Sequence, residues 1–183
     1  MTLMTEVNIL FCRYTNQNDI ILVTTIAGME HPNLEEQIGL YLNTLAIRTK
    51  IEESYNILNV LENQKQILLS AYEHQNYPFD ELVDKLRLMR DTSRSVLFDV
   101  MVVLQNQEQL HSVKTTNNLD GIMVEDYKIN RSTSQFDLSF TFVEREGLEL
   151  SIEYNTDIYD DFLIERMFAH YENLMNQAIN NPN

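Results

Sequence analysis

The sequence predicts an α/β (α+β) fold, with a mixed sheet flanked by helices. Three observations carry this. Apolar residues recur at helical spacing through residues 57–71 and again through 160–179, the stripe of an amphipathic helix. They alternate strictly through 136–142 and 148–154, the period of a half-buried strand. Two runs read as strands within a sheet: IILVTTI (20–26) as a buried, β-branched strand, and LFDVMVVL (97–104) as a central one, apolar on both faces apart from Asp99.

Taken in order, Leu3, Val7, Leu10, Phe11 and Tyr14 predict a first helix over 3–14, followed by a polar break at Asn16–Asn18 and the strand 20–26. Gly28 closes that strand. Pro32 and Asn33 predict the start of a short helix with Leu34, Ile38 and Leu42 on one face. From Leu45 the period becomes two: Leu45, Ile47, Thr49 and Ile51 face one way, and Thr44, Ala46, Arg48 and Lys50 the other. Ser54 is the expected cap of a long helix whose stripe is Ile57, Val60, Leu61, Ile67, Leu68 and Ala71.

The stretch HQNYPFDELVDKL (74–86) breaks that helix and starts another. Pro78 has no amide hydrogen to donate inside a helix, but its fixed φ suits the start of a new one, and it drives Tyr77 out of the helical region. Asp80 and Glu81 then sit at the positive end of the new dipole, with Lys85, Arg87 and Arg90 at or beyond the negative end. Phe79, Leu82, Val83 and Leu86 are expected to face a core. Residues 105–121 read as a loop and 123–129 as a strand. The alternation of Phe136, Leu138, Phe140 and Phe142, then of Leu148, Leu150, Ile152 and Tyr154 after Glu146-Gly147, predicts a β-hairpin. The last helix should bury Phe162, Met167, Phe168, Tyr171, Leu174, Met175 and Ala178.

Composition narrows the function. A net charge of −15 in 183 residues disfavours phosphate backbones and anionic membranes. Neither a GxGxxG nor a GxxxxGK loop occurs among the 4 glycines. No apolar run approaches the ~18 residues of a membrane span. The start MTLMTEVNIL lacks the basic region of a signal peptide. The lone Cys12 reads as a buried thiol in a reducing cytoplasm. His31, His74, His111 and His170 are scattered, with no metal spacing and no nucleophile–base pair. His74 reads as a helix-end residue. The many carboxylates read as solvated faces, and the dense basic stretch Lys85–Arg94 as an island on an acidic surface.

Five stretches carry a resemblance. DIILVTTIAGMEHPNLE (19–35) resembles the "DIxVGxPxAGRxHPxLE" box of nonribosomal peptide synthetase condensation domains. IGLYLNTLAIR (38–48) resembles their "IGxFVNTLxLR", and AYEHQNYPFDELV (71–83) their "AxxHQDYPFExLV". RDTSRSVLFDVMVVLQN (90–106) resembles "RDxSRxPLFxVMFxLQN", and 136–160 the closing hairpin with its "EYxTDLFD" segment. Met29 and Val96 depart from the family's Arg and Pro.

The resemblance implies the C-terminal lobe of such a domain over 1–179, with 180–183 a frayed end or linker start, and a chloramphenicol acetyltransferase-like fold. It implies amide formation between carrier-bound thioesters in a tunnel between two lobes. The family's HHxxxDG motif belongs to the other lobe; here no two histidines are adjacent, so no catalytic residue is assigned to this chain. Asn43, Arg48 and Arg94 become tunnel or lobe-interface candidates, and Lys85, Arg87 and Arg90 candidates for carrier-protein binding. The implied partners are an N-terminal lobe carrying HHxxxDG, donor and acceptor peptidyl carrier proteins with their phosphopantetheine arms, and an adjacent adenylation domain. No metal, directly bound cofactor, nucleic acid or membrane is expected. Two alternatives share the resemblance: a non-catalytic condensation-like module that binds carrier proteins or neighbouring domains, and the equivalent lobe of an epimerisation domain.

Overall fold

The computed structural model describes residues 1–28, 32–34, 37–52, 54–88, 96–106, 133–144 and 147–181. Among these residues a five-stranded sheet runs in the order β2-β1-β3-β4-β5. Its strands are β1 (Asp19–Ala27), β2 (Leu42–Lys50), β3 (Val100–Asn106), β4 (Leu138–Glu144) and β5 (Leu148–Tyr154). Outer pairs β1/β2 and β4/β5 are antiparallel, and β3 lies parallel to both β1 and β4, so the sheet is mixed as expected. LFDVMVVL does supply the central strand. The hairpin forms with Leu138 opposite Tyr154 and Phe142 opposite Leu150.

Helices α1 (Thr2–Thr15), α2 (Ile57–Glu73) and α4 (Asp161–Asn180) bury one face of this sheet. Strict alternation makes that face continuous: Ile20 and Leu22 of β1, Leu45 and Ile47 of β2, Val102 of β3, and Leu138, Phe140 and Phe142 of β4. Against them pack Met4, Val7 and Leu10 of α1, Leu68 of α2, and Ile164, Met167 and Tyr171 of α4. Ring pairs Phe11–Phe140 and Phe142–Tyr171, with centroids 5.9 and 5.6 Å apart, lock α1 and α4 onto the hairpin. Tyr14 Oη and His170 Nδ1, 2.8 Å apart, join the two helices at their rim.

Several local expectations change. Among the described residues from Pro32 to Leu42 there is a 3-10 turn (Pro32–Leu34) and no longer helix: residues 37–41 are irregular, Ile38 and Leu40 are exposed, and Leu42 is already in β2. Regular spacing of a few apolar residues over so short a run does not separate helix from strand. Gly28 donates to Tyr41 O at 2.8 Å, and a Cβ there would lie 2.7 Å from that oxygen, so glycine permits this close approach. The cap of α2 is Asn56, not Ser54; its side chain accepts from the Asn59 amide while the Asn59 side chain accepts from the Asn56 amide. In α4 the buried face runs through Ile164, Met167 and Tyr171, leaving Phe162 and Phe168 exposed. The predicted strand 123–129 lies outside the described residues.

Beneath α1 and α2 lies a polar cluster that periodicity did not disclose. Asn8 Nδ2 donates to Gln64 Oε1 at 2.9 Å and to Thr49 Oγ1 at 3.3 Å, and Thr49 Oγ1 donates to Gln64 Oε1 at 2.7 Å. All three side chains are fully buried, joining α1, β2 and α2 at one point. Glu6, also buried on α1, has no hydrogen-bond partner for Oε2 among the described residues. Burial pushes its carboxyl above the ordinary range, and burial together with the Glu6 charge pushes the Tyr171 phenol up.

Candidate functional site

The corner HQNYPF is held by a residue from another element. Asn43, half-buried at the start of β2, donates through Nδ2 to Gln75 O at 2.5 Å and to Tyr77 O at 2.9 Å. Its Oδ1 accepts from the Thr44 amide at 2.8 Å. The side chain thus satisfies two backbone carbonyls of the turn between α2 and Pro78. His74 caps α2, its Nδ1 2.8 Å from Ser70 O, in the helix-end role expected of it.

Pro78 is the N-cap of α3 (Phe79–Leu86), with Asp80 and Glu81 in the first turn and Lys85 in the last. Arg87 closes the helix in the left-handed region, at φ 49°. This helix has no fully buried residue: Phe79, Leu82 and Val83 are half-buried, and Leu86, expected in the core, is exposed. A chain of rings, Phe79–Phe98–Phe136, each step 5.6 Å between centroids, ties α3 to the segments entering β3 and β4. Lys85 Nζ lies 4.9 Å from the Tyr77 ring centroid, so the cation rests on the corner it follows.

Arg48 projects from β2 on the face opposite the core. Its Nε and Nη2 donate to Asp19 Oδ1 and Oδ2 at 2.8 and 2.6 Å, and Lys50 Nζ lies 3.7 Å from the same carboxylate. The bidentate guanidinium holds the Asp19 carboxyl below its ordinary value. Of the six candidates, the structure therefore brings Asn43 to the corner that leads into Lys85 and Arg87. Arg48 stands apart on the other sheet face. Arg90 and Arg94 lie outside the described residues.

That other face carries a feature the sequence reading missed. Pairing aligns Met101, Ser139 and Glu153 across β3, β4 and β5, and in the next row Val103, Thr141 and Ser151. Where the helix-side positions of β4 are Phe and Leu, β4 and β5 present hydroxyls and a carboxylate on this face, beside Met101 and Val103 of β3. Met101, Ser139, Thr141, Ser151 and Glu153, with Phe136 and the segment Thr133–Gln135, line a groove of about 470 Å³. The signal was present in the polar half of the hairpin's alternation, but only the strand register shows which of those residues stand side by side.

Among the described residues, no group of three His, Cys, Asp or Glu is placed to hold a metal ion, and no helix is long and apolar enough to cross a membrane.

Comparison with known proteins agrees with this architecture. Gramicidin S synthase 2 of Brevibacillus brevis is 37% identical over 183 residues, all of this chain but 4% of the relative. Surfactin synthase subunit 2 of Bacillus subtilis (strain 168) is 39% identical over 184 residues, again the whole chain and 5% of the relative. The chain therefore spans a small fraction of the curated relatives it matches. Among solved structures, a four-domain nonribosomal peptide synthetase bound to AMP and glycine superposes with a TM-score of 0.87 at 19% identity, covering 99% of this chain and 15% of that one. The X-domain from teicoplanin biosynthesis, solved in complex with OxyB, gives a TM-score of 0.86 at 19% identity over 99% of this chain and 40% of that one. The family model described as Condensation domain matches residues 1–183, and the chain belongs to that family.

Proposed function

We propose that this chain is the C-terminal lobe of a nonribosomal peptide synthetase condensation domain, incomplete by itself. The observation that carries the reading is a condensation-family match over the whole chain in a sequence with no adjacent histidines. Two features support it: the chain aligns with only 40% of the X-domain chain that shares its fold, and it extends over 4–5% of the synthetases it resembles. Residues 1–179 form the lobe, with 180–183 a frayed end or the start of a linker.

In the reaction, an acceptor amine attacks the carbonyl carbon of a donor thioester. A C–N bond forms, the C–S bond breaks, the amine gives up a proton, and the donor's phosphopantetheine thiol is released. HHxxxDG on an N-terminal lobe supplies the catalytic histidine. This lobe supplies the facing wall of the tunnel, where Arg48 and Arg94 address the interface and Asn43 shapes the wall through the corner it holds. Lys85, Arg87 and Arg90 form a basic island on a chain of net charge −15, suited to the phosphate and acidic surface of a carrier protein. Donor and acceptor carriers and an adenylation domain complete the assembly, in the cytoplasm.

A second reading, a non-catalytic module that binds carrier proteins or neighbours, draws on the X-domain, a solved example of this fold holding another protein. An immunoblot of the source cells with an antibody to the α4 sequence separates the two. A band of hundreds of kilodaltons is expected. A band near 21.5 kDa would leave only the binding module.

A further inference from the structure

Asn43 grips the corner at a point that sets the direction of the helix after it. The Tyr77 carbonyl, which accepts from Asn43 Nδ2 at 2.9 Å, belongs to the Tyr77–Pro78 peptide bond. The next rotation along the chain, φ of Pro78, is fixed by its ring at −63°. Helix α3 starts at the following residue, Phe79. We infer that Asn43 is a positioning residue for carrier-protein binding: it aims α3, and with it the Lys85 and Arg87 cations, without itself touching the carrier. The inference rests on the carrier-binding reading of those cations and deepens it by naming what holds them in place.

Three observations carry it. The first is that Asn43 is itself fixed, lying in β2 opposite Ile26 of β1. Its Oδ1 accepts from the Thr44 amide at 2.8 Å, which turns Nδ2 toward Gln75 O and Tyr77 O. The flipped amide would set its oxygen against both carbonyls, so the orientation is unique.

Second, the residue that Asn43 holds by its backbone carries a cation on its ring. Lys85 Nζ lies 4.9 Å from the Tyr77 ring centroid, so moving the Tyr77 peptide moves the seat of Lys85 together with the start of the helix. Third, α3 is weakly anchored by its own side chains. It has no fully buried residue, and its N-cap Pro78 makes no side-chain capping bond. The ring contact of Phe79 with Phe98 is at the first residue of the helix, where it acts as a pivot. Eight residues rise about 12 Å, so a swing of roughly 10° at the corner displaces the far end by about 2 Å. Lys85 and Arg87 are at that end, both exposed. A shift of that size breaks a charge-assisted hydrogen bond, whose heavy atoms must stay within about 3 Å.

The test uses the synthetase that carries this chain, its own carriers left unloaded, with aminoacylated carrier protein added and donor and acceptor varied in turn. The same aminoacyl group on free pantetheine is the reference, because it reacts without a carrier to dock. Asn43→Ala is expected to raise KM for a carrier-delivered substrate about fivefold relative to KM for its pantetheine thioester, the scale of one surface ion contact. Asn43→Asp, which keeps the acceptor for Thr44 but has no N–H for either carbonyl, should do at least as much. In a background of Lys85→Glu with Arg87→Glu, Asn43→Ala should add no further rise, because the cations it aims are gone. An equal change of KM for carrier-delivered and free thioesters overturns the inference, as does a rise that persists in full in the charge-reversed background. A carrier KM that responds to the charge reversal and not to Asn43→Ala overturns the inference and leaves the carrier-binding reading standing. A charge reversal that leaves the carrier KM unchanged overturns that reading and this inference with it.

Discussion

Replacing Asn43 by alanine should loosen one corner of the molecule without dissolving its core. The side chain makes three hydrogen bonds, two to Gln75 O and Tyr77 O and one from the Thr44 amide. Each such bond contributes a net ~1 kcal/mol. The site is half-buried, so water recovers part of the loss, and the expected cost is about 2 kcal/mol. For a chain of this size that lowers Tm by roughly 4–8 °C. The damage should be local, because α3 has no fully buried residue of its own and depends on this staple and the Phe79–Phe98–Phe136 contacts. Hydrogen exchange followed by mass spectrometry should show faster exchange across 75–86, with β3 and β4 unaffected. Asn43→Asp should be at least as harmful, since a carboxylate has no donor for either carbonyl and meets both with like partial charge. A Tm within 1 °C of the parent and unchanged exchange across 75–86 would refute the staple.

Glu6→Gln should stabilise the fold at neutral pH. The Glu6 carboxyl is raised by burial, so the folded state binds its proton more tightly than the unfolded state does. Stability from this group is complete below the ordinary glutamate range and is lost as pH rises through the raised folded value. Thermal melts of Glu6→Gln and parent should therefore converge near pH 4 and separate above it, the variant higher. Phe140→Ala, deleting a ring with no solvent exposure between α1 and the sheet, should cost about 3–5 kcal/mol, read by urea titration. Reversing Lys85 and Arg87 to glutamate should raise KM for carrier-delivered substrates several-fold, more at low than at high salt. Tm should scarcely move, because both side chains are exposed.

Elements whose period is sustained were legible in the sequence. Leu45, Ile47 and Thr49 alternate with Ala46, Arg48 and Lys50, and the structure buries the first three and exposes the two cations. Pro78 announced the corner because its constraint is local. What binds that corner was not legible as such: Asn43 lies 32 and 34 residues from the carbonyls it holds, and no periodicity links them. The same holds for Asn8 and Gln64: the alternation placed Thr49 on the inner face, but nothing in the sequence showed that these two side chains would meet it there. In α4 the sequence shows several apolar residues around the helix, and packing against Phe140 and Phe142 selects Ile164 over Phe162. The groove needed strand register, since Ser139 and Glu153 become neighbours only when the hairpin closes.

The most direct test of the central claim is amide formation by the synthetase carrying this chain, beside the same synthetase with residues 1–179 excised. Donor and acceptor carriers are loaded in both, and the acceptor-bound product is weighed. The account predicts a dipeptidyl thioester on the acceptor carrier only when the chain is present, with both carriers remaining aminoacylated when it is absent. Equal dipeptide formation by the two proteins would contradict it and remove this chain from the condensation step.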